Sequence, residues 1–133
     1  MTRSPDYLGA VGIGVSDLNR SAAFYAAALG LKAVQTFSLP HMDEIVMAHD
    51  GRTAVVLMHW TDGSSKSYAD APVKLVFYVT DPMVVMDRVI AAGGGLVLAP
   101  TAIPQLGGAV VGLAKDPDGD VIELLQAPST VAA

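Results

Sequence analysis

Three histidines, thirteen carboxylates and no cysteine are the side chains through which this chain could do chemistry. His41, His49 and His59 form no i, i+2 or i, i+4 pair, the spacing that brings two imidazoles onto one metal. The absence of cysteine excludes disulfides and thiolate chemistry and fits a cytosolic protein. Asp116, Asp118 and Asp120 supply the acid count of a calcium loop, but no twelve-residue ligand pattern follows them. Gly9, Gly12 and Gly14 are in the wrong order for a phosphate loop and fall inside a strand. Met42, Met47, Met58, His59 and Trp60 lie on or beside strands and could line an apolar pocket, methionine adapting to irregular ligands and tryptophan offering a stacking face. Ordinary core or dimer packing is the competing use of the methionines, and Trp60 is either a pocket wall or an interface residue. Tyr78 shares strand parity with Lys74 and Val76, which puts their side chains on one face.

Composition narrows the classes. The 133 residues, 52% hydrophobic and 16% charged, describe one globular domain or two small modules sharing a core. A net charge of −5 with eight scattered Lys and Arg residues argues against nucleic acid, because no basic cluster displaces counterions. The same balance suits a cationic ligand, although solubility is its ordinary meaning. No apolar run reaches the length of a membrane span. Met1–Asp6 has no apolar core, so no signal peptide is expected.

The elements that must position these residues come as a repeat. Val15-Ser16-Asp17 and Val79-Thr80-Asp81 each open an apolar helix, 64 positions apart, and Gly30 and Gly94 close them at the same offset. Asp50-Gly51 and Asp118-Gly119 each lead into a last apolar strand. Leu8–Val15 is expected as a first strand, tolerant of its glycines only where backbone or ligand approaches closely. Asp17 is a good N-cap, and Leu18, Ala22, Tyr25 and Leu29 follow at helical spacing, with Phe24 and Tyr25 packing helix on sheet. Strands follow at Lys32–Ser38, Glu44–His49 and Thr53–Trp60, and Thr61–Ala71 reads as a polar linker. Val73–Val79 opens the second unit, Asp81-Pro82 caps its helix, and strands near Leu96–Leu98, Ala109–Lys115 and Val121–Gln126 complete it. Each unit is β-α-β-β-β: module one about 8–60, a linker about 61–72, module two about 73–127, within a single domain spanning 1–133.

These motifs resemble the vicinal-oxygen-chelate superfamily of glyoxalases, bleomycin-resistance proteins and extradiol dioxygenases. Val15-Ser16-Asp17-Leu18 with Ser21, Phe24-Tyr25 and Leu29-Gly30-Leu31 is similar to its opening motif. Asp116-Pro117-Asp118-Gly119 with Glu123-Leu124 is similar to its closing one, where the acids form a tight turn. The resemblance implies an α+β fold, with paired βαβββ modules forming a curved, cup-shaped mixed sheet with flanking helices. It also implies a site inside the cup and a homodimer.

Metal-dependent members hold a divalent cation with four side chains, and the resemblance places these at Ala10, at Val55 or Val56, at Lys74 and at Glu123. Only Glu123 is a ligand type; a protonated lysine has no lone pair to offer. The expectation is therefore no metal cofactor. Lys74 and Glu123 would project to one point, either neutralising each other or, shifted in pKa, moving a proton on a bound carbonyl compound. Two functions follow from the resemblance. One is a binding protein that holds an organic ligand between Tyr78, Trp60, His59, Met58 and Met47. The other is a metal-independent lyase or isomerase acting on a small carbonyl or polyketide-like substrate through Lys74, Glu123 and Tyr78. Pro40–Glu44 and Pro100–Gly108 are expected as rims, with Gly107-Gly108 permitting movement.

Overall fold

The two helices are set by their caps and by one apolar stripe each. Asp17 accepts the backbone N–H of Arg20 and starts α1 (Leu18–Leu29), whose Ser21, Phe24, Tyr25 and Ala28 recur at helical spacing and are buried. Gly30, at φ 71°, ends it. Asp81 accepts from Met83 and Val84, Pro82 fills the first helical position of α2 (Pro82–Ala91), and Val85, Met86 and Val89 are buried. At this second helix end the repeat slips by one residue: the left-handed position is Gly93, at φ 104°, whereas Gly94 donates its N–H to Val89.

In the computed structural model, which describes residues 6–127, two mixed four-stranded sheets repeat one topology. The expectation for Met1–Asp6 falls, apart from Asp6, outside the described residues. Sheet one is β1 (Val11–Gly14), β4 (Arg52–Trp60), β3 (Met42–His49) and β2 (Lys32–Ser38), in that spatial order. Sheet two is β5 (Lys74–Val79), β8 (Val121–Gln126), β7 (Ala109–Lys115) and β6 (Gly95–Ile103). In each, the first strand pairs in parallel with the last and the remaining pairs are antiparallel. The paired βαβββ modules are thus present as two open sheets. No helix among the described residues is long and apolar enough to cross a membrane.

Two expected rims are partly strand. Met42–Glu44 belongs to β3. β6 runs through Pro100 to Ile103, followed by one 3-10 turn at Pro104–Leu106. The ladder absorbs the proline because its register shifts between Leu98 and Thr101, where no regular pairing is required.

Strand alternation divides each sheet into a core face and a face turned away from the helices. Ile13, Val15, Val55, Leu57, Leu75, Ile122 and Leu124 join Phe24, Tyr25 and Val89 in one hydrophobic cluster spanning both modules. Met47 is also in that cluster and fully buried. It therefore does not line a ligand face, because it shares parity with Ile45 and points toward α1's side of the sheet.

Candidate functional site

The helix-free face of sheet two carries the best-formed polar group. Lys74 Nζ donates to Glu123 Oε1 at 2.9 Å. In the parallel ladder, Lys74 lies opposite Val121 and Val76 opposite Glu123, so the pair spans a diagonal between neighbouring strands. Leu113 stands opposite Glu123 on its other side. The Lys74 side chain is half exposed and that of Glu123 retains 16% of its accessibility. Tyr78, at 68% exposed, and Val76 share this face with Lys74. The expectation that Lys74, Glu123 and Tyr78 share one face matches this geometry.

Sheet one contributes an aromatic corner. Met58 and Trp60 alternate onto its helix-free face, above Gly12 and Gly14 of β1. A Cβ on Gly12 would lie 3.1 Å from Met58 Cε, and one on Gly14 would lie 3.1 Å from the Tyr68 ring. Side chains, and not the backbone or ligand expected, approach these two glycines most closely. Tyr68 comes from the segment read as a plain linker. Its hydroxyl accepts the Trp60 backbone N–H at 3.1 Å, and its ring stacks on His59 with centroids 5.3 Å apart. Lys66 Nζ sits 5.0 Å over the Trp60 ring. His59 donates from Nδ1 to the Val15 carbonyl at 2.9 Å, so one nitrogen and one ring face are already engaged. Sequence reasoning missed Tyr68, whose only signal was an aromatic residue in a polar stretch.

The metal implied by the fold does not suit these side chains. Ala10, Val55 and Val56 have no donor atoms on their side chains, and the Lys74 side chain is engaged as a donor to Glu123. Among the described residues no three His, Asp or Glu side chains are grouped so as to hold a metal ion. The chemistry available on this face is that of an ammonium, a carboxylate and a phenol.

The Asp116–Asp120 turn fixes where Glu123 stands. Asp116 Oδ1 accepts the backbone N–H groups of Asp118 and Asp120, and its Oδ2 accepts the Tyr25 hydroxyl at 2.7 Å. Asp118 accepts from Ser16 and Arg20, a second tie from module one. These acids form a tight turn as expected, but Asp116 and Asp120 are also buried, and Asp116 and Asp118 serve as a latch between modules. Burial and the Asp116 charge hold the Tyr25 phenol protonated, well above its ordinary range.

Asp120 is 1% exposed, and its Oδ1 has no partner among the described residues. Burial first, then the charges of Asp116 and Asp118, push its pKa up to about 6. Asp116 moves the same way, chiefly through burial. The folded state therefore binds more protons than the unfolded chain between about pH 4 and pH 6, and stability falls as pH rises through that window. The urea midpoint should increase from about pH 7 to about pH 5, and Asp120→Asn should flatten the increase. A midpoint that drops steadily over that interval would contradict this assignment.

Comparison with known proteins agrees with the architecture. The pattern of the Glyoxalase/Bleomycin resistance protein/Dioxygenase superfamily matches residues 7–124. The chain belongs to this superfamily. A glyoxalase-related enzyme from Fulvimarina pelagi is similar in structure, with 27% identity and a TM-score of 0.68 over 92% of this chain and 88% of that one. Glyoxalase I from Zea mays shares 23% identity and a TM-score of 0.76, covering 95% of this chain and 48% of that chain, so the present chain spans about half of the plant protein. A glyoxylase/bleomycin resistance protein/dioxygenase domain from Frankia aligns at 18% identity and a TM-score of 0.74, over 94% and 100% of the two chains. Comparison with curated proteins gave no match.

Proposed function

We propose that this chain is a metal-independent binding protein for a small organic molecule, held on the helix-free faces of its sheets. The observation that carries this reading is the Lys74–Glu123 pair at 2.9 Å on a face of exposed apolar side chains. An internal ammonium stands beside Glu123, the one metal-ligand type left in the set, so the face offers charge balance and apolar area in place of a cation site. Trp60, Met58 and Tyr68 supply flat and adaptable walls for a planar ligand. A cationic ligand suits the acidic chain. A cytoplasmic homodimer, without nucleic-acid or membrane partners, completes the proposal; Leu96, Val97 and Tyr78 are exposed apolar groups of the kind two copies bury.

Trp60 is the sole tryptophan, so its fluorescence reports occupancy directly. Titration with planar aromatic cations should quench it with the same affinity in the presence and absence of EDTA. Because a half-exposed ion pair contributes about 1 kcal/mol or less to stability, Lys74→Met should remain folded while its ligand affinity changes. Loss of binding on chelation would sink the metal-independent reading.

A lyase or isomerase is the second reading, favoured by the exposed Tyr78 hydroxyl on the face of the pair. Glu123 would take a proton from the carbon beside a carbonyl, and Lys74 would give one to the resulting enolate oxygen. Deuterium uptake from D2O into a bound 1,3-diketone, abolished by Glu123→Gln, distinguishes turnover from binding alone.

A further inference from the structure

A concavity lies between the modules along the free edge of β5, and it shares Lys74, Val76 and Tyr78 with the face described above. All six residues of β5 border it, and among the described residues this strand pairs only with β8, which leaves its second edge unpaired there. Leu75, Phe77 and Val79 face the core side, and Val85 and Arg88 arrive from α2, so the cavity runs round the edge of the strand to its helix side. Leu29, Leu31, Val11 and Val55 close it from module one. The volume is about 540 Å³, within the range of sites that hold drug-sized ligands.

Its charge is opposite to that of the chain. Among the described residues the ionisable side chains along the cavity are His49, Lys74, Tyr78 and Arg88, with no carboxylate, although the chain has thirteen acidic residues against eight basic ones. Lys74 and His49 each have an acidic neighbour, Glu123 and Asp50 respectively. Arg88 makes no ion pair among the described residues. Its Nε–H donates to the Ala28 carbonyl at 3.2 Å, in the last turn of α1. That bond anchors the guanidinium while leaving its terminal amino groups to a ligand. Arg88 is an exposed residue, and an arginine anchored at the rim of an apolar cleft recognises a carboxylate by charge-assisted hydrogen bonds. Unpaired β5 N–H groups add further donors.

We propose that this cavity binds a small organic monoanion with an apolar body, its carboxylate on Arg88 and its hydrocarbon part against Leu29, Leu31 and Phe77. The inference goes beyond the proposed function and does not rest on it. Calorimetry with decanoate and with decyltrimethylammonium, matched in chain length and opposite in charge, tests it on the intact protein. Decanoate should bind at one saturable site per chain, with the cation about tenfold or more weaker. Arg88→Met should weaken decanoate by about the same factor, and Arg88→Lys by less. Val11→Trp, a substitution at a half-exposed position on the wall, should block decanoate by filling the space. Trp60 does not border the cavity, so its fluorescence should stay unchanged as decanoate binds. Equal binding of the two probes, no binding of either, or decanoate affinity indifferent to Arg88→Met would each overturn the proposal. So would displacement of decanoate by self-association, which would assign the β5 edge to a second copy.

Discussion

Alanine at Gly94 will destabilise the fold by about 3 kcal/mol or more, while alanine at Gly95 will cost little. The two glycines are adjacent, yet their surroundings differ entirely. A Cβ on Gly94 would lie 2.6 Å from Val89 Cγ1, 2.7 Å from the Lys115 carbonyl oxygen and 2.9 Å from Phe24 Cε1. Those atoms belong to α2, β7 and α1, so three elements meet where a side chain would begin. Val89 and Phe24 are fully buried and have no free volume to retreat into, and a backbone carbonyl cannot rotate away without breaking the β6–β7 ladder. At Gly95 the nearest atom is Lys115 Cβ, at 4.0 Å, an ordinary contact. Chemical denaturation of the two single variants decides the matter: equal midpoints would mean that the helix–sheet approach at Gly94 is looser than its distances require. Because the stability of a domain of this kind is roughly 5–15 kcal/mol, Gly94→Ala removes a large share of it.

The same glycine run illustrates what was legible in the sequence. The repeat, both N-caps and the strands Lys32–Ser38, Ala109–Lys115 and Val121–Gln126 could be read from local patterns, since capping and alternation act within a few residues. That a glycine would end α2 was equally legible. Which glycine touches Phe24, some seventy residues away in the chain, was not, because nothing local records a tertiary approach. Met47 was misplaced for a related reason. Ile45, Val46, Met47 and Ala48 are all buried, so the alternation that would separate the two faces of β3 is erased. The pairing of Lys74 with Glu123 followed from motif positions, because both residues sit at fixed distances from the repeated aspartate and the closing turn. Tyr68 and the latch at Asp116 depend on contacts between distant segments. Composition showed only an aromatic residue in a linker and an excess of acid in a turn.

Loss of that latch is the other large expected effect. Asp116→Ala should cost about 3–5 kcal/mol, because it orphans three donors in a site that is 3% exposed. The two backbone N–H groups of Asp118 and Asp120 would lose their acceptor, and the Tyr25 hydroxyl would lose its only partner among the described residues. Tyr25→Phe removes one donor instead of the acceptor and should cost about 1–3 kcal/mol, since Oδ1 keeps both backbone N–H groups and only Oδ2 loses its partner. The double variant should be less unstable than the sum of the two, because the phenol orphaned by Asp116→Ala is then gone. Denaturation of all four proteins measures that coupling, and strict additivity would mean that the bond between the modules contributes nothing. The consequence reaches the ligand face. Asp116 follows directly on β7, and Asp120 precedes β8, so their turn sets the register in which Lys115 pairs with Val121 and Leu113 with Glu123. Glu123 meets Lys74 only in that register. Tyr25→Phe, which keeps the turn's own hydrogen bonds, should therefore preserve ligand-induced quenching of Trp60. Asp116→Asn, whose amide nitrogen cannot accept from either the phenol or a backbone N–H, should weaken it even in conditions where the variant is folded.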